Sequence, residues 1–260
     1  MSTSEPGQSA VPLGAPPPGD WSRDLAVPAS ALAIGAHPDD VEFGAGGTLA
    51  KWAAAGCVVH HLVCTDGSKG TWDTGADLPA LIRRRQEEQR EAARRLAGNN
   101  AGEVRFLGVA DGHLVDTLEL RSDIARTIRE LRPEVVLGHD PWKRYRLHPD
   151  HRAAGFLTCD AVVAARDPHF FPEHGLDAHR PGAILLWEAD VPDHVEDVSA
   201  TLEAKLAALD AHESQFESTM KAADPGDLAA FHERVTNRLA TLGAPHGLAA
   251  AEVFHLIDDV

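Results

Sequence analysis

Cysteine is scarce in this sequence, and long runs of apolar residues are missing. The three cysteines, Cys57, Cys64 and Cys159, are odd in number and form no close pair, which excludes a disulfide framework. No stretch approaches the roughly 18 consecutive apolar residues of a membrane span, and no basic segment leads an apolar one near the first residue. We therefore expect a cytoplasmic protein that does not associate with membranes.

Basic residues are also few compared with acidic ones. The chain has 24 Lys and Arg against 40 Asp and Glu, which gives a formal net charge of −16. Because nucleic acids and anionic membranes attract basic surfaces, neither is expected as a partner. The 260 residues, 43% of them hydrophobic and 25% charged, fit one soluble domain.

The pattern of apolar residues predicts the organisation of the chain. Residues 1–22 are rich in Pro, Gly, Ser and Ala without periodicity, which predicts a disordered tail before a domain over residues 23–260. The domain alternates short apolar runs with helical patterns, as is typical of a parallel sheet with crossover helices. The predicted strands are 31–36, 57–64, 104–107, 135–138 and 183–187, and the predicted helices lie near 46–55, 79–97, 120–131, 151–165, 200–212 and 228–242. The sequence thus predicts a Rossmann-like α/β domain whose ligand lies beyond the carboxyl ends of the strands.

A cluster of titratable residues follows the first predicted strand directly, in the segment Gly35-Ala36-His37-Pro38-Asp39-Asp40. Two adjacent carboxylates at the end of a strand repel each other unless a cation compensates them. His37 and Asp40 are three residues apart, so both can reach one ion in a tight turn. Alternatively, Asp39 or Asp40 caps the helix that follows.

A second segment, His148-Pro149-Asp150-His151, favours the metal site. It follows the predicted strand 135–138 through a loop, and loops at the carboxyl ends of parallel strands face each other. His37, Asp40 and His151 would then supply two nitrogens and one oxygen and leave a fourth position for water, as catalytic zinc sites do. Other divalent transition metals, such as iron or cobalt, would also accept these ligands.

The two segments together resemble the paired signature of the PIG-L/LmbE-like deacetylase family. The similarity covers most of the chain from about residue 30 to 220 and includes Val41-Glu42-Phe43-Gly44-Ala45-Gly46-Gly47-Thr48, Thr65-Asp66-Gly67, Phe106-Leu107-Gly108 and His212-Glu213-Ser214-Gln215. The resemblance implies a zinc-dependent N-deacetylase that acts on an N-acetylamino sugar conjugate, with N-acetylglucosamine as the sugar. It also implies that the protein can form a homo-oligomer.

The resemblance further implies roles for individual residues. His37, Asp40 and His151 match the family's zinc ligands. Asp39 matches the general base, and His148 matches the residue that stabilises the oxyanion or donates a proton. No role is assigned to residues 212–215.

Two more residues match substrate ligands of the family, Arg85 and Asp111. Arg85 falls on the apolar stripe of the predicted helix 79–97, where an arginine must be paired or line a polar pocket. Alternatively, Arg85 has no role in binding, and the aliphatic part of its side chain packs against the protein while its guanidinium reaches water. Asp111 could equally be a turn residue before Gly112 that does not bind substrate. Tyr145, the single tyrosine, lies in the loop before His148 and is a weaker candidate.

Three rival functions fit parts of the sequence. A nucleotide-binding module is suggested by Gly44-Ala45-Gly46-Gly47, but these glycines lack the GxGxxG spacing. A non-haem iron oxygenase also uses two histidines and one carboxylate, although on a different fold. An inactive deacetylase-like binding module would have no need of Asp39 beside the metal ligands.

Overall fold

One mixed sheet organises the protein, whose computed structural model describes residues 21–222 and 224–260. The predicted tail over residues 1–22 falls outside the described residues except for Trp21 and Ser22, and Ser22 lies in the first strand. The strands are β1 Ser22–Arg23, β2 Ser30–Gly35, β3 Val58–Thr65, β4 Ala101–Val109, β5 Val135–His139, β6 Ala183–Trp187, β7 His194–Asp197 and β8 Ala251–Ile257. The α-helices are α1 Asp40–Ala54, α2 Leu78–Ala97, α3 Leu118–Leu131, α4 Pro149–Arg166, α5 Leu202–Leu209 and α6 Pro225–Gly243.

The strand order is β1-β7-β8-β6-β5-β2-β3-β4. β2 lies between β3 and β5, and these pairs are parallel, as is the pair of β5 with β6. Only β8 runs antiparallel to its neighbours, β6 and β7, among the pairs in the described residues. The predicted α/β domain with a mostly parallel sheet is confirmed. β1, β7 and β8 were not predicted; β1 and β7 are too short to show a period, and β8 carries Glu252 and His255 within its apolar run.

The sheet separates two apolar layers, and β2 contributes to both. Ala31 and Ala33 belong to the layer under α1 and α2, whereas Leu32 and Ile34 belong to the layer under α3 and α4. This alternation follows from the two-residue period of a strand. Because both faces are covered, the strand is apolar throughout, and polar side chains begin where it ends, at His37.

α1 begins at Asp40, six residues earlier than the predicted start near residue 46. The glycines Gly44, Gly46 and Gly47 lie inside this helix, and at Gly44 and Gly47 a larger residue would not fit. A Cβ at Gly44 would lie 2.5 Å from Cδ2 of Trp187, and one at Gly47 would lie 2.8 Å from Cβ of Val198. These glycines therefore allow close packing, and the nucleotide-binding alternative loses the loop on which it depended.

A buried ion pair joins the middle of α1 to α5 and β8. Nζ of Lys205 lies 2.6 Å from Oε1 of Glu252 and donates to the carbonyl of Phe43 at 2.8 Å. Glu252 also accepts the backbone N–H groups of Gly47 and Thr48 at 2.9 and 2.8 Å. The Phe43 carbonyl and the Gly47 N–H are partners in a regular α-helix, and here both also bind side chains outside it.

Within the described residues, no helix combines the length and the apolar character needed to cross a membrane.

Candidate active site

The predicted site residues meet at the carboxyl ends of neighbouring strands. His37 follows β2, Asp111 follows β4, and His139 is the last residue of β5. His148 and His151 lie at the start of α4, which follows β5 through a loop. The site thus forms where parallel α/β sheets place their ligands.

One nitrogen of His37, one nitrogen of His151 and the two carboxylate oxygens of Asp40 converge on one point. Nδ1 of His37 lies 3.2 Å from Nε2 of His151 and 3.3 Å from Oδ2 of Asp40. Nε2 of His151 lies 3.4 Å from Oδ1 of Asp40. A tetrahedral zinc ion with bonds of about 2.0–2.1 Å holds its ligand atoms about 3.3–3.4 Å apart, so these spacings fit such an ion.

Overlapping groups of side chains around this point could also hold a metal. Besides the predicted ligands, the groups within reach of one ion are His37 with His148 and His151, Asp40 with His139 and His151, and His37 with Asp111 and Asp150. The hydrogen bonds of each imidazole ring indicate which residues could face an ion and which could orient its ligands.

His139 orients Asp40. The indole N–H of Trp187 donates to Nδ1 of His139 at 3.0 Å, so the proton of the neutral ring lies on Nε2. That Nε2–H lies 3.2 Å from Oδ2 of Asp40 and donates to it. The N–H of Ala36 approaches the same Nε2 at 3.4 Å, the longer of the two contacts. His139 therefore holds the carboxylate of Asp40, a contact that the sequence did not reveal.

Asp150 orients His37 from the opposite side. Its Oδ2 lies 3.1 Å from Nε2 of His37, and it also accepts the backbone N–H groups of Gly112 and Leu114 at 2.6 and 3.2 Å. A carboxylate on one ring nitrogen leaves the other nitrogen, Nδ1, free to bind a metal. Asp150 stands inside the second motif, but no role was predicted for it.

The surroundings of His37 favour positive charge. Burial opposes protonation, yet hydrogen bonds with Asp111, Asp150 and Asp40 raise the pKa of His37 to about 12. The pKa of Asp40 lies well below its usual range, because the nearby His151 and His139 outweigh the effect of burial. A site that stabilises one proton this strongly, beside an ionised carboxylate, is suited to a divalent cation.

His151 has the opposite character. Burial lowers its pKa to about 4, so the ring is neutral and one nitrogen keeps its lone pair. The guanidinium of Arg146 lies 3.2 Å from Nδ1 of His151 and 2.8 Å from Oε2 of Glu188. Metal binding through Nε2 would place a proton on Nδ1, and Arg146 would then keep its shorter contact, the one with Glu188.

Asp39 has a carboxylate that no hydrogen bond occupies. The residue is at the N-cap position of α1, but its side chain makes no capping hydrogen bond, and its buried Oδ2 has no hydrogen-bond partner. Burial, opposed by Arg85 and reinforced by Asp40, raises the pKa of Asp39 to about 6. A carboxylate with a pKa near neutrality is suited to accept and return a proton.

The three other predicted site residues surround this carboxylate and the ligands. His148 is largely exposed, with its ring centre 4.6 Å from the rings of both His37 and His151, and partial desolvation together with the charge of His37 lowers its pKa. Arg85 is buried and donates to the carbonyls of Gly67 and Pro38 at 2.8 and 2.6 Å. Oδ1 of Asp111 lies 3.4 Å from Nε2 of His37.

A cavity of about 1070 Å³ opens over these residues. It extends from the His37 cluster to α6, where Phe231, Arg234 and Leu239 line it. Tyr145 does not line this cavity, and its side chain is exposed.

The Trp187 hydrogen bond leads to a testable prediction. In Trp187→Phe, Nδ1 of His139 loses the closer of its two donors and keeps only the longer contact with Arg146 at 3.4 Å, so the proton is less firmly confined to the nitrogen that faces Asp40. We expect metal affinity to fall by about 10- to 100-fold, the usual effect of losing a partner of a metal ligand. Competition with a chromogenic chelator measures this change.

Trp52→Phe is the matched control, because Trp52 is also fully buried but its indole nitrogen has no hydrogen-bond partner. Equal metal affinity in the two variants would contradict the role given to His139.

Comparison with known proteins places the chain in a family. A model of the PIG-L family, described as GlcNAc-PI de-N-acetylase, matches residues 32–162, which include all seven predicted site residues. The diacetylchitobiose deacetylase of Thermococcus kodakarensis is 40% identical over 188 residues, which cover 71% of this chain and 69% of that protein. The 1D-myo-inositol 2-acetamido-2-deoxy-alpha-D-glucopyranoside deacetylase 2 of Saccharopolyspora erythraea is 31% identical over 229 residues, with 71% and 82% covered.

A solved structure agrees with these sequence matches. The N,N'-diacetylchitobiose deacetylase from Pyrococcus horikoshii, complexed with its inhibitor MPG, superposes with a TM-score of 0.80 at 29% identity. The superposition covers 89% of this chain and 84% of that one. The resemblance drawn from the two motifs is thus confirmed, and the chain belongs to the PIG-L family of de-N-acetylases.

Proposed function

We propose that this protein is an N-deacetylase that uses a zinc ion held by His37, Asp40 and His151 to remove the acetyl group from an N-acetylamino sugar conjugate. The family supports the reaction class. The observation that carries the proposal is the convergence of these three side chains, whose facing atoms lie 3.2–3.4 Å apart, beside the carboxylate of Asp39, whose Oδ2 makes no hydrogen bond.

The side chains divide the reaction among them. A bound zinc ion would lower the pKa of a water molecule and polarise the amide carbonyl. Asp39 accepts the proton of the attacking water on its carboxylate and returns it to the leaving amine. His148, at the open side of the cluster, stabilises the oxyanion or donates the proton instead. Asp150 and His139 keep His37 and Asp40 in position throughout.

The substrate class is supported by the relatives and by the cavity. The relatives described above are named for diacetylchitobiose and for an inositol-linked 2-acetamido-2-deoxy-glucopyranoside. The cavity of about 1070 Å³ is large enough for a sugar together with a second group, which would lie towards α6. Nε of Arg85 is buried without a hydrogen-bond partner, so we assign it to a substrate hydroxyl group. Asp111 lines the same cavity and is assigned to a second hydroxyl group.

A panel of zinc-loaded reactions tests the proposal. We expect acetate release from diacetylchitobiose and from other N-acetylglucosamine conjugates, but not from acetyl-lysine peptides or simple amides. Release from the peptides alone would disprove the sugar assignment. Stoichiometric zinc without release from any substrate would favour the inactive binding module. Reloading the protein with iron or cobalt identifies the most active metal.

Variants of the two proposed sugar ligands give a further expected result. Arg85→Ala and Asp111→Ala should lower kcat/KM by about 10-fold or more, because each removes a proposed hydrogen bond to the substrate, and should not remove zinc, because the three proposed zinc ligands are unchanged. Arg84→Ala is the control, since Arg84 is the neighbouring arginine on α2 but does not line the cavity. Unchanged kinetics in all three variants would exclude Arg85 and Asp111 as substrate ligands. A homo-oligomer and a cytoplasmic location stay predictions.

A further inference from the structure

Four fully buried polar side chains lie behind Asp39, on the side away from the metal ligands. They come from four separate segments, namely Glu42 of α1, His61 of β3, Gln89 of α2 and His212 of the turn after α5. A polar group that is removed from water must find hydrogen-bond partners inside the protein, so the partners within this cluster indicate what it holds in place.

Gln89 connects the cluster to Asp39. Its Oε1 accepts the backbone N–H of Asp39 at 2.9 Å. Its Nε2 lies 2.8 Å from Oε1 of Glu42 and 3.1 Å from Nδ1 of His61, so both amide hydrogens have acceptors. Rotating the Gln89 amide by half a turn would place its NH2 group against the N–H of Asp39 and its oxygen against Oε1 of Glu42. The orientation of Gln89 is therefore fixed by its neighbours.

Glu42 is held in turn by His212. Nε2 of His212 lies 3.2 Å from Oε2 of Glu42, the carboxylate oxygen that Gln89 does not use. The order of contacts is His212 to Glu42, Glu42 to Gln89, and Gln89 to the backbone of Asp39. The motif of residues 212–215, to which the sequence assigned no role, thus reaches the site through its first residue.

The backbone of Asp39 needs such support. Asp39 has φ 102° and ψ −25°, in the left-handed region that residues with a side chain rarely adopt. Its carbonyl accepts the N–H of Phe43 in the first turn of α1, and among the described residues its own N–H has Gln89 as the acceptor. A change of this φ would swing the carboxylate away from the cavity, because the side chain rotates with the backbone.

We propose that Gln89, oriented by Glu42 and His212, is a positioning residue that keeps Asp39 in the left-handed conformation and so directs its carboxylate at the attacking water. This inference rests on the proposed function, in which Asp39 is the general base. It predicts that loss of the Gln89 acceptor impairs turnover while leaving the metal and the sugar contacts in place.

Gln89→Met tests the inference, because methionine has a similar length but offers no acceptor to the Asp39 N–H. We expect kcat to fall by about 10- to 100-fold, as for a misplaced catalytic group, with KM and zinc content within about twofold of the wild type. A crystal structure of the variant should show φ of Asp39 outside the left-handed region. Leu96→Ala is the control for general loss of stability, because Leu96 packs in the apolar core from the same helix.

A double variant tests which group donates and which accepts in these hydrogen bonds. It also tests the inference if Gln89→Met does not fold. In Gln89→Glu with Glu42→Gln, the new carboxylate accepts the Asp39 N–H and an amide hydrogen from position 42, so the connection is restored with its donor and acceptor exchanged. We expect Gln89→Glu alone to lose activity because two carboxylates then face each other, and the double variant to recover most of it.

The outcomes separate the two proposals. Wild-type kcat in Gln89→Met, with Asp39 still at positive φ, would overturn the positioning role while leaving the deacetylase function intact. A double variant no better than Gln89→Glu would also overturn it. Absence of deacetylation by the wild-type enzyme would contradict the proposed function itself, and the positioning role would fall with it.

Discussion

Asp39→Asn is expected to retain its metal and to lose about 10²- to 10⁴-fold in turnover, the range for removal of a general base. The amide has nearly the same shape as the carboxylate but cannot accept the proton of the attacking water. Oδ2 of Asp39 makes no hydrogen bond but lies 3.5 Å from Nη2 of Arg85, so the substitution should weaken this ion pair and break no hydrogen bond of that atom. Zinc content, thermal unfolding and kcat, measured on the same preparation, provide the comparison.

Asp40→Asn is the matched control at the neighbouring position. Asp40 accepts from His139 and from the backbone N–H of His37, and its carboxylate lies against the proposed ion. We expect this variant to lose metal as well as activity. If Asp39→Asn empties the site and Asp40→Asn leaves it full, the roles of the two aspartates are reversed.

His37→Ala and His151→Ala are each expected to lower zinc content by an order of magnitude or more. Each substitution removes one of three protein ligands, and a two-ligand site no longer encloses the ion. Elemental analysis after dialysis against a fixed concentration of free zinc gives the bound fraction. Stoichiometric zinc in both variants would exclude the proposed ligand set.

His148→Ala separates the proposed site from an overlapping one. The ring of His148 is close enough to His37 and His151 to share an ion with them, yet it is exposed. We expect His148→Ala to keep its zinc and to lose turnover, because His148 acts on the substrate. Loss of zinc in this variant would move the ion to the group of His37, His148 and His151.

The location of the site could be predicted from the sequence because its ligands stand in two short segments. His37 and Asp40 lie within one turn of chain, and each segment follows an apolar strand whose carboxyl end is identifiable. The class of fold could be predicted for the same reason, since buried parallel strands separated by helices leave a regular alternation.

The residues that orient the ligands could not be predicted, because their contacts connect distant parts of the chain. Trp187 and His139 are 48 residues apart in the sequence, and Asp150 and His37 are 113 residues apart. Neither pair has a local spacing that marks it. The start of α1 was placed too late for a different reason: glycines are poor helix formers, and their place in the helix depends on Trp187 and Val198 packing against them.

The buried pair of Lys205 and Glu252 has a consequence for how the protein is made. α1 carries Asp40 at its first residue and is attached at its middle to β8, across 205 residues between Gly47 and Glu252. While the chain is synthesised, the ammonium group of Lys205 lacks its partner, the carboxylate of Glu252. The ion pair can form only after residue 252 has emerged. Contacts of such sequence separation form slowly. His37 and Asp40 of the proposed metal site are therefore synthesised well before the strand that fixes α1, so we expect zinc to be captured only after β8 has joined the sheet.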